Sequence, residues 1–178
     1  DNEDYFKGRQ LEKDENGKLY KDNDERAIFF AKGVIETVKK LNWAPDIIHV
    51  QGWIAMLMPL YCKHYYKDEP ILVNTKVVSS IFNTPFEEPL SSNLIKKLAF
   101  DGFDSELIED LKTPNFSALA KNAIANSDGM IIADTDIDKS VKKEILSSNK
   151  PTLNSTSKDR FEVDYKEFYT NQILKLDK

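Results

Sequence analysis

Cysteine, histidine and tryptophan are what this chain of 178 residues has least of, with one cysteine, Cys62, two histidines and two tryptophans. A single thiol excludes an internal disulfide and a cysteine-based zinc site. Positive charge is also short: 25 Lys and Arg stand against 30 Asp and Glu, a net charge of −5, and the basic residues are scattered. No basic stripe is left to neutralise phosphates, so nucleic acid and anionic membrane are excluded as partners. There is no apolar run of transmembrane length and no secretory leader, which predicts a cytoplasmic protein. In that compartment the Asn115 and Asn154 N-x-S/T triplets carry no glycan. A Gly-rich phosphate loop, a Ser-His-Asp order and zinc-ligand spacing are all missing. An initiator methionine is missing too, because the sequence opens Asp1-Asn2-Glu3-Asp4-Tyr5-Phe6 with no leading strand. That opening predicts a piece of something longer.

What is present suffices for one core. At 40% hydrophobic and 11% aromatic residues, the chain predicts a single α/β domain over 1–178. Residues 7–24 are charged, contain the Asn16-Gly17 turn pair and lack apolar periodicity, so a solvated loop is expected there. Ala27, Phe30, Ala31, Val34, Ile35, Val38 and Leu41 then recur at helical spacing. Acidic residues open this helix, Lys39-Lys40 close it, and Asn42 suits a left-handed stop. Ile47 to Val50 lacks polar alternation, as a strand buried on both faces does. Ile54 to Tyr66 predicts a helix made irregular by Pro59. Lys76 to Phe82 is the second strand, and Ser91 to Phe100, Ser105 to Lys112 and Phe116 to Asn126 are helices. Gly129 to Ala133 is a third strand, followed by helices Ile137 to Leu146 and Arg160 to Leu176 around the turn-rich Ser147 to Lys158. This order predicts parallel strands joined by right-handed crossovers, a Rossmann-like three-layer sandwich. Three strands are few for such a sheet, which again points to missing strands upstream.

In such a fold ligands bind beyond the carboxyl ends of the strands. The first such end, WAPDIIHVQGW from Trp43 to Trp53, stops abruptly at a polar, Gly-opened corner. His49 there is open to two readings, a general base or sugar hydrogen-bond donor, and a satisfied core residue. Gln51 both donates and accepts, which suits a hydroxyl-rich ligand. Trp53 offers a ring to a sugar face, or fills the core as the first residue of a helix. The alternating Asp134, Asp136 and Asp138 suggest a metal, but Lys139 stands where a calcium loop of the EF-hand type needs glycine. Helix capping by Asp134, Thr135 or Asp136 is the favoured reading. Glu87-Glu88 reads as a solvated loop, and His64 as a surface or half-buried helix residue.

Taken together, Asn23, Glu25, Arg26, Phe29, Phe30, Trp43, Pro45, Asp46, His49 and Trp53 match an Asn-x-Glu-Arg-x-x-Phe-Phe helix followed by a Trp-x-Pro-Asp-(apolar)₂-His-x-His-Asp-Trp strand end. The chain thereby resembles bacterial glycogen and starch synthases, specifically between Asp22 and Tyr61. Lys76 to Asn83 and Phe116 to Glu144 extend the likeness, which looks closest to a short, divergent branch of that family. The resemblance implies part of the amino-terminal domain of a GT-B glycosyltransferase, which needs no metal and no cofactor. It implies glucose transfer from ADP- or UDP-glucose to an α-1,4-glucan acceptor, with the donor side supplied by a separate domain or an oligomer. The substrate-binding positions it implies are His49, Gln51, Gly52, Trp53, Phe82 and Asn83. Gln51 and Gly52 replace the second His and the Asp of the family motif, and Phe82 replaces the histidine of its Thr-x-His-Asn. This chain alone is therefore expected not to catalyse, and a silent α-glucan-binding or regulatory descendant is the alternative.

Overall fold

The structure, a computed structural model, describes residues 5–7 and 10–176. Helix α1 spans Asn23–Lys40 and buries Ala27, Ala31, Ile35 and Val38, the stripe that the helical spacing predicts. Asp24 and Glu25 lie in its first turn and Lys39 and Lys40 in its last, each complementing the helix dipole. Asn42 follows with φ 49°, the left-handed stop.

Four parallel strands make one sheet in the order β1 (Ile47–Gln51), β2 (Lys76–Ile81), β3 (Gly129–Ile132), β4 (Thr152–Leu153). The register sets His49 opposite Val78, Gln51 opposite Ser80, and Ile81 opposite Ile132. Three strands were expected, and the fourth lies inside the turn-rich stretch. It is two residues long, paired with Met130 and Ile131, and too short to leave any periodicity in the sequence.

The helix expected over Ile54 to Tyr66 is instead three short pieces. A 3-10 turn at Trp53–Ala55 leads into helix α2, Met58–Leu60, and then a π-turn at Tyr61–Tyr65. Pro59 removes a backbone donor, and every residue from Trp53 to Cys62 is buried, so packing and not the helical repeat dictates the path. Ser105 to Lys112 likewise shrinks to a 3-10 turn at Glu109–Lys112. Helices α3 (Leu94–Phe100), α4 (Phe116–Asn126), α5 (Lys139–Ser147) and α6 (Phe161–Glu167) complete the chain, α6 running on as a π-turn over Phe168–Ile173.

The sheet is covered on both faces, as an α/β layered fold requires. Ile48, Val50, Val77, Ile81, Met130 and Ile132 join the main core with α1, α2 and α4. Val78 and Ile131 face the other way, into a smaller cluster with Phe168 and Ile173, flanked by Ile47, Leu153, Tyr165 and Tyr169. Gly129 lets that second layer lie close: a Cβ there would stand 2.3 Å from Ile173 Cδ1 and 3.3 Å from Phe168 Cζ, so those side chains would have to shift.

The segment expected as a solvated loop is partly folded down. Lys13 and Leu19 form an antiparallel bridge around the Asn16-Gly17 turn, and Asp14 Oδ1 accepts from the Asn16 and Lys18 amides, both at 2.9 Å. Leu19 packs on the core and Tyr20 is half-buried, while Asn23 and Asp24, its last residues, are buried. Residues 8–9 lie outside the described residues. The charged composition hid this, because the segment is held by hydrogen bonds and one buried arginine more than by apolar periodicity.

Candidate ligand corner at the strand ends

The carboxyl ends of β1, β2 and β3 sort the expected site residues into three groups. In the first, His49 leaves β1 on the face covered by α6 and is half-buried. Its Nε2 lies 2.7 Å from Ser80 Oγ on β2, and its Nδ1 lies 2.9 Å from the Tyr169 hydroxyl and 3.3 Å from Gln51 Nε2. The amide nitrogen of Gln51 has only hydrogens to offer, so Nδ1 accepts and Nε2–H donates to Ser80. Both ring nitrogens of His49 are thus engaged inside the protein. Ser80 is 2% exposed, which also removes it as a nucleophile in a Ser-His pair. Gln51, by contrast, is exposed at the strand tip.

Burial lowers the His49 pKa below the usual 6.5. Between the two values the unfolded chain holds a proton that the folded chain does not. The stability from keeping this ring neutral is therefore complete above about pH 6.5 and lost as pH falls through the folded value, at up to about 1.4 kcal/mol per pH unit. Urea midpoints taken from pH 7.5 to 5.5 should fall in the wild type and fall less in His49→Gln. A variant as steep as the wild type would assign the loss to other groups.

The second group is Asn83 with the aspartates after β3. Asp134 Oδ2 accepts from the Asn83 backbone N–H at 2.8 Å, and Asp136 Oδ2 accepts from its side-chain amide at 3.1 Å. The helix cap is Asp138 instead of Asp134, Thr135 or Asp136, its Oδ1 accepting from the Ser140 and Val141 amides. The cap sits directly before Lys139 because the chain after β3 first crosses to Asn83. Among the described residues no group of three or more His, Cys, Asp or Glu is placed to hold a metal ion.

Trp53 anchors the third group. It is 2% exposed, its ring meets Phe86 edge-on at 5.1 Å, and its Nε1–H donates to the Glu12 carboxylate. Gln10 to Lys13, Thr84, Pro85 and Phe86 join it around a crevice of about 440 Å³. Gly52, between the first and third groups, has φ 78° and ψ 151°, a region that side chains other than glycine's reach only with strain. Phe82 is half-buried at the end of β2. Glu87 and Glu88 are exposed, and His64 is half-buried with Nε2 2.8 Å from Asn126 Oδ1.

The sequence did not reveal Glu12, Ser80, Tyr165 or Tyr169 as parts of this corner. Only the i, i+4 spacing of the two tyrosines hinted that they share a helix face, and nothing local says what that face meets.

Comparison with known proteins fits this layout. Residues 1–155 match the family described as starch synthase catalytic domain, so α6 and Tyr169 lie beyond the matched part. Glycogen synthase of Clostridium perfringens is 31% identical over 130 residues, 72% of this chain and 27% of the relative. Glycogen synthase of Chlorobium limicola is 38% identical over 107 residues, 60% of this chain and 22% of the relative. That of Vibrio parahaemolyticus is 41% identical over 73 residues, 41% of this chain and 15% of the relative. These matches span about a quarter or less of the relatives' length, 27%, 22% and 15%. Among the described residues no helix is long and apolar enough to cross a membrane. With the family matched over 155 of its 178 residues on a parallel α/β sheet, the chain belongs to the glycogen/starch synthase family, within its starch synthase catalytic domain.

Proposed function

We propose that this chain, folded as one α/β domain over 1–178, is the acceptor side of a cytoplasmic GT-B glucosyltransferase. It holds an α-1,4-glucan at the strand ends while a separate domain or subunit presents ADP- or UDP-glucose. The observation that carries this reading is the exposure of two amide side chains, Gln51 and Asn83, at neighbouring strand tips beside the Trp53 and Phe86 crevice. Amides that both donate and accept suit sugar hydroxyls. In this reading His49, Gly52 and Trp53 shape the corner, Gln51 and Asn83 meet the sugar, and Phe82 lends an apolar edge. Phe82 has no hydrogen to donate to an oxygen bearing developing charge, and one such donor is worth about 3 to 4 kcal/mol. The same substitution, with Gln51-Gly52, favours a second reading: a catalytically silent glucan-binding or regulatory member of the family.

Calorimetry of the chain with maltoheptaose tests what the two readings share, and binding is expected. Absence of both heat and any shift in melting temperature would sink both. Nucleotide release from ADP- or UDP-glucose with glycogen then separates them. No release is expected from this chain alone, and release by the full-length protein above a no-acceptor blank would select the enzyme.

A further inference from the structure

The C-terminal helix lies outside the residues that match the family, yet it reaches the corner where the proposed glucan site begins. We propose that Tyr169 is a positioning residue for this corner: its hydroxyl holds the His49 Nδ1 lone pair and thereby leaves the Gln51 amide for a ligand hydroxyl.

Nδ1 of a neutral imidazole has one in-plane lone pair, and two donors converge on it here. The Tyr169 hydroxyl is at 2.9 Å, an ordinary bond, and Gln51 Nε2 is at 3.3 Å, a long one. Tyr169 therefore holds the better share of the acceptor, and Gln51 is only loosely engaged. Burial raises the phenol to about 12, so it remains a donor at neutral pH. The helix is set firmly enough to act this way. Phe168 and Ile173 on either side of Tyr169 are 1% and 6% exposed and lie over Gly129. The rings of Tyr165 and Tyr169 stand 6.0 and 5.9 Å from that of His49 and flank it on one side, while Ser80 holds Nε2 on the other. Removal of the hydroxyl alone would keep this packing and release the lone pair. Gln51 would then close onto Nδ1, which keeps the ring in its Nε2–H tautomer and withdraws the amide from a ligand.

The ligand part of this inference rests on the glucan reading, but the state of His49 Nδ1 is measured without ligand. With ¹⁵N-labelled histidine the chain gives two imidazoles, and His64→Gln identifies the one belonging to His49. The wild type should show a single neutral Nε2–H tautomer. Tyr169→Phe should keep that tautomer, move the His49 Nδ1 resonance as an amide donor replaces the phenol, and weaken maltoheptaose binding about five-fold, the loss expected for one hydrogen bond. Tyr165→Phe, which keeps the ring beside His49, should change neither. The proposal is overturned if Tyr169→Phe leaves the Nδ1 resonance where the wild type has it, or if that resonance moves and affinity does not change. If the wild type binds no maltoheptaose at millimolar concentration, the glucan reading fails, and the Nδ1 resonance alone decides whether Tyr169 positions His49.

Discussion

Trp53→Ala should cost about 3 to 5 kcal/mol of unfolding free energy, the range for removing a buried aromatic ring. In a chain of this size that lowers the melting temperature by roughly 10 °C. The ring is 2% exposed and belongs to the main core, so its removal leaves a cavity that the short turns from Trp53 to Tyr65 cannot easily close. It also deprives Glu12 of the indole N–H. Trp53→Phe keeps most of the packing and loses only that bond, so it should cost about 1 to 2 kcal/mol. Urea denaturation of both variants measures the two parts. A tryptophan that served as a sugar platform on the surface would behave differently: Trp53→Ala would fall within about 1 kcal/mol of the wild type and lose glucan binding. That result would overturn the core assignment.

The sequence and the structure agree where one physical signal dominates and part where two compete. Helix α1 was legible because its apolar spacing, terminal charges and Asn42 stop all say the same thing. Strands β1, β2 and β3 were legible because short runs rich in Ile and Val between turns have few other solutions. Strand β4 was not, because two residues carry no period. Residues 54–66 were misread because their apolar content reflects complete burial and not a helical face. At the site, Gln51, Gly52 and Asn83 stood out as polar or flexible residues closing apolar runs. Their groupings did not, since Ser80 and Tyr169, which meet the His49 ring, lie 31 and 120 residues away. Long-range contacts of that kind leave no local mark. Gly52 shows the opposite case, in which the structure accounts for a residue: its φ of 78° with ψ of 151° would strain any side chain, which suits glycine at that turn.

The buried Arg26 ties these parts together, and its replacement should have the other large effect. Its side chain is fully buried, with Nε 3.1 Å from Asp22 Oδ1 and Nη1 donating to the Leu11 carbonyl at 3.3 Å. The guanidinium lies 4.3 Å from the centre of the Tyr20 ring and 5.5 Å from that of Phe6. Arg26 therefore clamps residues 11–20 onto α1, and those residues carry Glu12, the acceptor of the Trp53 indole. Arg26→Ala removes charge, hydrogen bonds and volume at once, and should cost about 3 to 5 kcal/mol. It should also free the loop that walls the Trp53 crevice, so maltoheptaose binding should fall with stability. Arg26→Met separates packing from charge. Among the described residues the buried Nη2 of Arg26 has no hydrogen-bond partner, a desolvation cost that methionine does not carry. Met also refills most of the space between Tyr20 and Phe6. Half or more of the stability lost in Arg26→Ala should return in Arg26→Met, while the loop, lacking its bond to the Leu11 carbonyl, should stay open to proteolysis. If the two variants are equally unstable, the charge itself holds the loop. If Arg26→Met restores both stability and protease resistance, the clamp is a matter of packing alone, and the crevice wall owes nothing to the guanidinium.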